Sequence, residues 1–176
     1  GLQHYAMGRD IEIAVIDGIR RLGNGLAFPA GPLREPKSRL SEVDFIVNNG
    51  GPTEGDEILM TLSPAKFIHL NSGKEYSVDK WPMHNQVHAI AGVGNPNRFF
   101  DLLVRMGFEF DKNPFPDHHK YNKRDLYYLD HLPILMTEKD AAKCKHFKNS
   151  KIWYLSIESK IESQFVDRLE EKLNDR

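Results

Sequence analysis

The sequence predicts an α/β protein, a mainly parallel sheet with helices on its faces. Three observations carry this. After Gln86, short apolar runs alternate with segments that open on a capping residue or proline and close on glycine or a basic residue. Runs such as Val87-His88-Ala89-Ile90-Ala91 and Pro133-Ile134-Leu135-Met136 are nearly unbroken apolar sequence, as strands buried on both faces are. The chemistry-bearing clusters fall just past those runs, where open α/β sheets bind ligands.

Taken in order, residues 10–17 are β-branched and apolar and read as a buried strand. A glycine- and arginine-rich loop follows, then a rigid stretch holding Pro29, Pro32 and Pro36, which fits neither a helix interior nor a central strand. Residues 40–43 read as a short helix and residues 44–48 as a second strand. Residues 50–56 have linker composition. Residues 57–62, 66–70 and 74–78 then alternate apolar and polar, with Asn71-Ser72-Gly73 as a hairpin turn. The next strand, 87–91, ends in Gly92-Val93-Gly94, and Asn95-Pro96 supplies an N-cap and first-turn proline for a helix over 97–106 that Gly107 stops. A short strand over 108–111 leads to Asp117-His118-His119. Asn122, with Asp125 three residues on, resembles a capping box for a helix through His131. A strand over 133–136, a Thr137-capped helix to about Phe147, a strand over 151–157 and an amphipathic helix over 162–173 complete the chain.

Composition narrows the class. Hydrophobic residues at 40% and charged residues at 28% allow a real core. A net charge of −1 offers no surface for nucleic acid or an anionic membrane. No apolar run approaches the roughly 18 residues that span a bilayer. The first five residues lack the charged and apolar regions of a signal peptide. The single Cys144 forms no internal disulfide and suits a reducing compartment. With no initiator methionine, the chain is expected to begin inside a longer protein.

The motifs separate by chemistry. Gly92-Val93-Gly94 lacks the third glycine of the dinucleotide fingerprint, because Asn97 stands there, and is better read as a tight strand-to-helix turn. No G-x-x-x-x-G-K-[ST] string occurs. Asp117-His118-His119 fits a solvated capping loop, a metal site, or a carboxylate that orients an imidazole for proton transfer; adjacent loop residues with no HxxxH or CxxC partner disfavour the metal. Thr137-Glu138-Lys139-Asp140 caps a helix, and its Lys139 could face a phosphate. Arg34-Glu35 lies in a proline frame that would hold a site's geometry.

These stretches carry a resemblance. Gly1-Leu2-Gln3-His4, Gly23-Asn24-Gly25, Pro29-Ala30-Gly31-Pro32-Leu33-Arg34-Glu35-Pro36, Ala91-Gly92-Val93-Gly94-Asn95-Pro96, Phe115-Pro116-Asp117-His118-His119 and Met136-Thr137-Glu138-Lys139-Asp140-Ala141 stand in an order similar to the carboxy-terminal half of the tetraacyldisaccharide 4′-kinases, the lipid A 4′-kinases of Gram-negative bacteria. The resemblance covers essentially the whole chain. It implies part of a P-loop-kinase-like sheet in residues 1–50, a β-ribbon linker in 51–85 and a smaller, mainly parallel α/β layer domain in 86–176. It implies a parent that transfers phosphate from ATP, with Mg²⁺, to the 4′-hydroxyl of an acylated disaccharide 1-phosphate at the cytoplasmic face of the inner membrane. It implies no nucleic-acid partner. His118, with Asp117 beside it as the other candidate catalytic residue, matches a family histidine that pairs with a catalytic aspartate from outside these residues. His4, Arg34 and Glu35 match residues on the substrate and nucleotide side, with Glu35 near the Mg²⁺ and no metal site complete within the chain. Without a P-loop, these residues alone are expected to be inactive. The competing readings are a non-catalytic interaction module and a phosphoesterase of the Asp-His-His type, whose upstream metal-binding aspartates Asp17 and Asp111 do not reproduce.

Overall fold

A computed structural model describes residues 2–4, 6 and 8–175. It divides into two compact units, residues 1–63 with 159–176 and residues 64–158. The expected boundaries at 50 and 85 group the chain differently. The carboxy-terminal helix, placed by sequence in the 86–176 domain, falls in the first unit.

In the first unit, β1 (Ile13–Asp17), β2 (Phe45–Asn49) and the start of β3 (Ile58–His69) pair in parallel, Val15 opposite Val47 and Val47 opposite Ile58. Phe45, Val47 and Ile58 form its core, and α3 (Gln164–Asn174) lays Phe165 and Leu169 on it. The Phe165 ring meets Phe45 edge-on at 5.4 Å. The strand read as buried is covered on one face: Ala14 and Ile16 are buried, while Val15 is 61% exposed. The short helix expected at 40–43 is a 3₁₀ turn over Lys37–Ser41.

In the second unit, the two strands expected at 57–62 and 66–70 are parts of one continuous β3. Its latter part pairs antiparallel with β4 (Glu75–Ser77) around a turn at Gly73, which sits at φ +68°. Beyond them, β8 (Ile152–Ile161), β7 (Ile134–Thr137), β5 (Gln86–Ala91) and β6 (Glu109–Pro114) lie side by side, the last four pairing in parallel. Strand alternation explains the two layers. Val87, Ala89, Ala91 and Leu135 face the core shared with Phe100 and Leu103 of α1 (Pro96–Arg105). Ile90, Ile134 and Met136 face the core shared with Ala141 and Cys144 of α2 (Glu138–Cys144). The expected parallel sheet, covered on both faces, is present in this unit.

Residues 122–131 are not the expected helix. Turns occupy the segment, and its polar side chains are bound locally. Asn122 Oδ1 accepts from Arg124 N at 2.8 Å, Asp130 binds Leu132 N and His88 Nε2, and Tyr128 stacks on His88 at 3.6 Å. Short polar side chains that bond nearby backbone compete with a helix, and here they prevail.

Candidate functional site

β5 hands the chain through α1 to β6 on one side, while β7 hands it through α2 to β8 on the other. The crevice between the carboxyl ends of β5 and β7 is therefore the switch point at which a parallel sheet offers a binding edge. Three segments meet there: Gly92-Val93-Gly94, residues 115–121 and the Thr137-capped start of α2.

The floor is built on Asp140, a carboxylate with no solvent exposure. Its Oδ2 accepts from Gly92 N at 2.9 Å and from Thr137 Oγ1 at 2.7 Å, and its Oδ1 accepts from Lys143 Nζ at 2.8 Å. Lys143 Nζ also donates to Gly92 O at 3.1 Å. The charge is thus paired and hydrogen-bonded, as a buried one must be. Gly92 is required for a steric reason, since a Cβ there would lie 2.8 Å from Tyr121 Oη and 3.2 Å from Asp140 Oδ1. Burial and the Asp140 charge push the Tyr121 hydroxyl above the ordinary phenol range. Burial likewise pushes the Cys144 thiol up to about 12, so it is no nucleophile.

On this floor stand the predicted catalytic residues. Asp117 Oδ1 accepts from His118 N at 2.9 Å and from Lys139 Nζ at 3.0 Å. The His118 ring is 80% exposed, its Nε2 3.7 Å from Asp117 Oδ2, beyond a hydrogen bond. Its backbone, at φ +60°, is left-handed, unusual for a residue with a side chain. The Lys139 ammonium, with the His118 amide and ring beside it, holds the Asp117 carboxyl below its ordinary range despite some desolvation. His119 makes the better carboxylate–imidazole contact, Nε2 to Asp125 Oδ2 at 2.9 Å, and stacks on Phe115. Burial raises the Asp125 pKa, but the bonds from His119 and Asn122 outweigh it and the net shift is downward. The sequence marked Asp125 and Asp140 only as parts of helix caps, and it did not single out Lys143. The His119–Asp125 spacing of six, folded back by a turn, left no periodic signal.

The remaining predicted residues lie in the first unit. Gln3 Nε2 donates to Arg34 O at 3.4 Å, and Leu2, Gln3, Arg34, Glu35 and Lys37 line a cavity of about 320 Å³. His4 is exposed, its carbonyl bound by Arg9. The carboxyl ends of β1 and β2 form a second polar network there. Glu57 accepts both terminal nitrogens of Arg21, at 2.8 and 2.7 Å, and Asn48 Nδ2 at 3.0 Å. The Arg21 guanidinium outweighs the burial of Glu57 and holds its pKa at about 2. Among the described residues no three His, Cys, Asp or Glu side chains group as a metal site.

A family model described as tetraacyldisaccharide-1-P 4′-kinase matches residues 1–174. The chain belongs to this family. Tetraacyldisaccharide 4′-kinases from Legionella pneumophila strain Corby and Ruthia magnifica are 49% and 44% identical to it over 165 and 173 residues, covering 94% and 98% of the chain. They are covered over 50% and 54% of their own length, so the chain spans about half of the curated relatives it matches. A crystal structure of LpxK from Aquifex aeolicus in complex with ATP superposes with a TM-score of 0.72 over 98% of this chain and 56% of that one, at 21% identity. That likeness establishes a shared mixed α/β fold.

Proposed function

We propose that this chain is the part of a tetraacyldisaccharide 4′-kinase that presents the proton acceptor for phosphoryl transfer to the sugar. The family match supplies the reaction class. The exposed His118 at the switch-point crevice, beside an ionised Asp117, carries the assignment to residues. In the reaction the 4′-oxygen attacks the γ-phosphorus of ATP and the bond to ADP breaks. His118 takes the proton that the attacking hydroxyl loses, and Asp117 favours the imidazolium that results. His119, bonded to Asp125 and stacked on Phe115, holds the loop that carries His118.

The donor side is only partly within the chain. Arg34 and Glu35 would face the nucleotide phosphates, with His4 toward the substrate, while the P-loop would come from outside these 176 residues. Mg²⁺ would come with the ATP, with Glu35 near it. In this reading the kinase works on a lipid substrate at the cytoplasmic face of a Gram-negative inner membrane. No helix of the described residues is long and apolar enough to cross a membrane.

The test is steady-state kinetics of a full-length kinase carrying these residues. His118→Ala should lower kcat by roughly 10²–10⁴-fold with little change in the KM for ATP. His119→Ala should cost far less in kcat. Equal losses, or a loss confined to His119, would move the assignment to the inner histidine. The 176 residues alone should bind ATP·Mg²⁺ weakly or not at all, and micromolar affinity by calorimetry would contradict that.

A further inference from the structure

Residues 122–131 send successive side chains in opposite directions. Leu126 is buried in the core that holds Ala141 and Cys144, and Tyr128 packs on that core and stacks on His88. Tyr127 and Leu129 stand in solvent, 71% and 88% exposed. The backbone is pinned so that they stay there. Asn149 Nδ2 donates to Leu126 O at 3.2 Å, and Lys151 Nζ donates to Tyr128 O at 3.1 Å and to Asp130 O. Charges are sorted in the same way, which a net charge of −1 for the whole chain conceals. Asp125 is committed to His119 and Asn122, and Asp130 to His88. Lys123, Arg124 and, on the adjoining segment, Lys148 are exposed and make no ion pair among the described residues. A cavity of about 300 Å³ is lined by Lys123, Tyr127, Phe147, Lys148 and Asn149, and no carboxylate lines it.

An outward leucine and tyrosine beside unpaired cations suit a lipid surface. The aliphatic side chain gains by leaving water, the tyrosine suits a boundary that is apolar on one side and wet on the other, and the cations meet anionic headgroups. Nucleic acid would use the cations but give Leu129 nothing to do. We propose that residues 122–131 dock this unit on an anionic phospholipid bilayer. Leu129 and Tyr127 enter the boundary between headgroups and acyl chains, and Lys123 and Lys148 hold a lipid phosphate at the cavity they line. Asp125 of the same segment bonds His119, so docking brings the bilayer to the loop that flanks the crevice. For the kinase reading above, with its lipid substrate, that placement matters; the docking itself does not rest on that reading.

Flotation of the 176-residue chain with vesicles tests this. One set holds phosphatidylethanolamine and phosphatidylglycerol in equal parts, and the other holds phosphatidylcholine alone. The chain should float with the anionic set, less so as salt rises, and stay behind with the neutral one. Leu129→Ser should weaken binding by about 10-fold or more, the scale of returning one leucine side chain to water. Lys123→Gln combined with Lys148→Gln should weaken it by about 10-fold or more at low salt. Tyr127→Trp should keep the binding, and brominated lipid should quench the added fluorescence. No flotation with the anionic vesicles, or flotation that either the leucine or the double lysine change leaves as it was, would overturn the proposal. Binding that soluble glycerol 1-phosphate abolishes at matched phosphate concentration would instead give the cavity to a free phosphate. Variants that lose duplex DNA but keep vesicles would give the cations to nucleic acid. Vesicle binding does not read turnover, so a His118→Ala enzyme with intact kcat would sink the catalytic reading and leave the docking standing.

Discussion

Asp140 and Glu57 are the two carboxylates on which the loops at the strand ends depend, one in each unit. Removing Asp140 by Asp140→Ala would leave the Gly92 N–H without its acceptor and the partly exposed Lys143 ammonium without its carboxylate, costing about 1–3 kcal/mol of stability, the scale of a buried donor left unsatisfied. Urea unfolding of the variant should report that loss, and a change under about 1 kcal/mol would mean that water repairs the site. Glu57 makes stability depend on acid. Its pKa falls from an ordinary 4.5 to about 2 on folding, so its contribution is complete above about pH 4.5 and is lost as pH falls toward 2. At 1.36 kcal/mol per pH unit this is at most about 3 kcal/mol. Glu57→Gln should flatten the stability curve between pH 4.5 and 2, and an unchanged slope there would assign the acid sensitivity to other carboxylates. The sequence marks both residues as acidic and no more. Their partners, Gly92 and Arg21, lie 48 and 36 residues away, a distance that local patterning does not register.

At the scale of elements, α1, α2, β5 and β7 were legible because each carries agreeing local signals. Thr137 is predicted as a cap and is one, accepting from Asp140 N. Since its hydroxyl also donates to Asp140 Oδ2, Thr137→Ala should cost about 1–2 kcal/mol, the upper part of the usual capping range. Thermal unfolding of the variant measures this, and a neutral outcome would show that α2 is held by its core contacts alone. Asn95 sits at the cap position of α1 yet makes no side-chain capping bond, so the same signal found the position there but not the acceptor. The 122–131 segment misled for a further reason. Asn122 and Asp125 do bond as a capping box would, Asn122 N to Asp125 Oδ2 at 2.9 Å, but Asp125 also takes His119. A carboxylate shared in this way anchors a turn to the site loop rather than opening a helix. Leu129 at 88% and Tyr127 at 71% exposure show that the segment's apolar residues form no helical face.

At the scale of the molecule, the last helix groups with residues 1–63 in one compact unit. Periodicity finds α3 and its apolar stripe but says nothing of which core receives it. The core of the first unit is small, three buried side chains on β2 and β3, and Phe165 and Leu169 of α3 cover it while Lys172 reaches Asp44 at 3.0 Å. The second unit keeps both its cores within residues 67–155. The two units should therefore respond differently to loss of the carboxy terminus. Truncation after Ile161 uncovers Phe45 and removes an aromatic contact whose burial and edge-on geometry are together worth about 2 kcal/mol or more. Three parallel strands left without that cover fall short of a stable core. Hydrogen exchange followed by mass spectrometry should show amides of β1 and β2 losing protection in the truncated chain, while those of β5 and β7 keep theirs. Phe165→Ala should do the same more weakly. Uniform loss across both units would mean that the chain unfolds as one cooperative body, with the site crevice at β5 and β7 as dependent on α3 as β2 is.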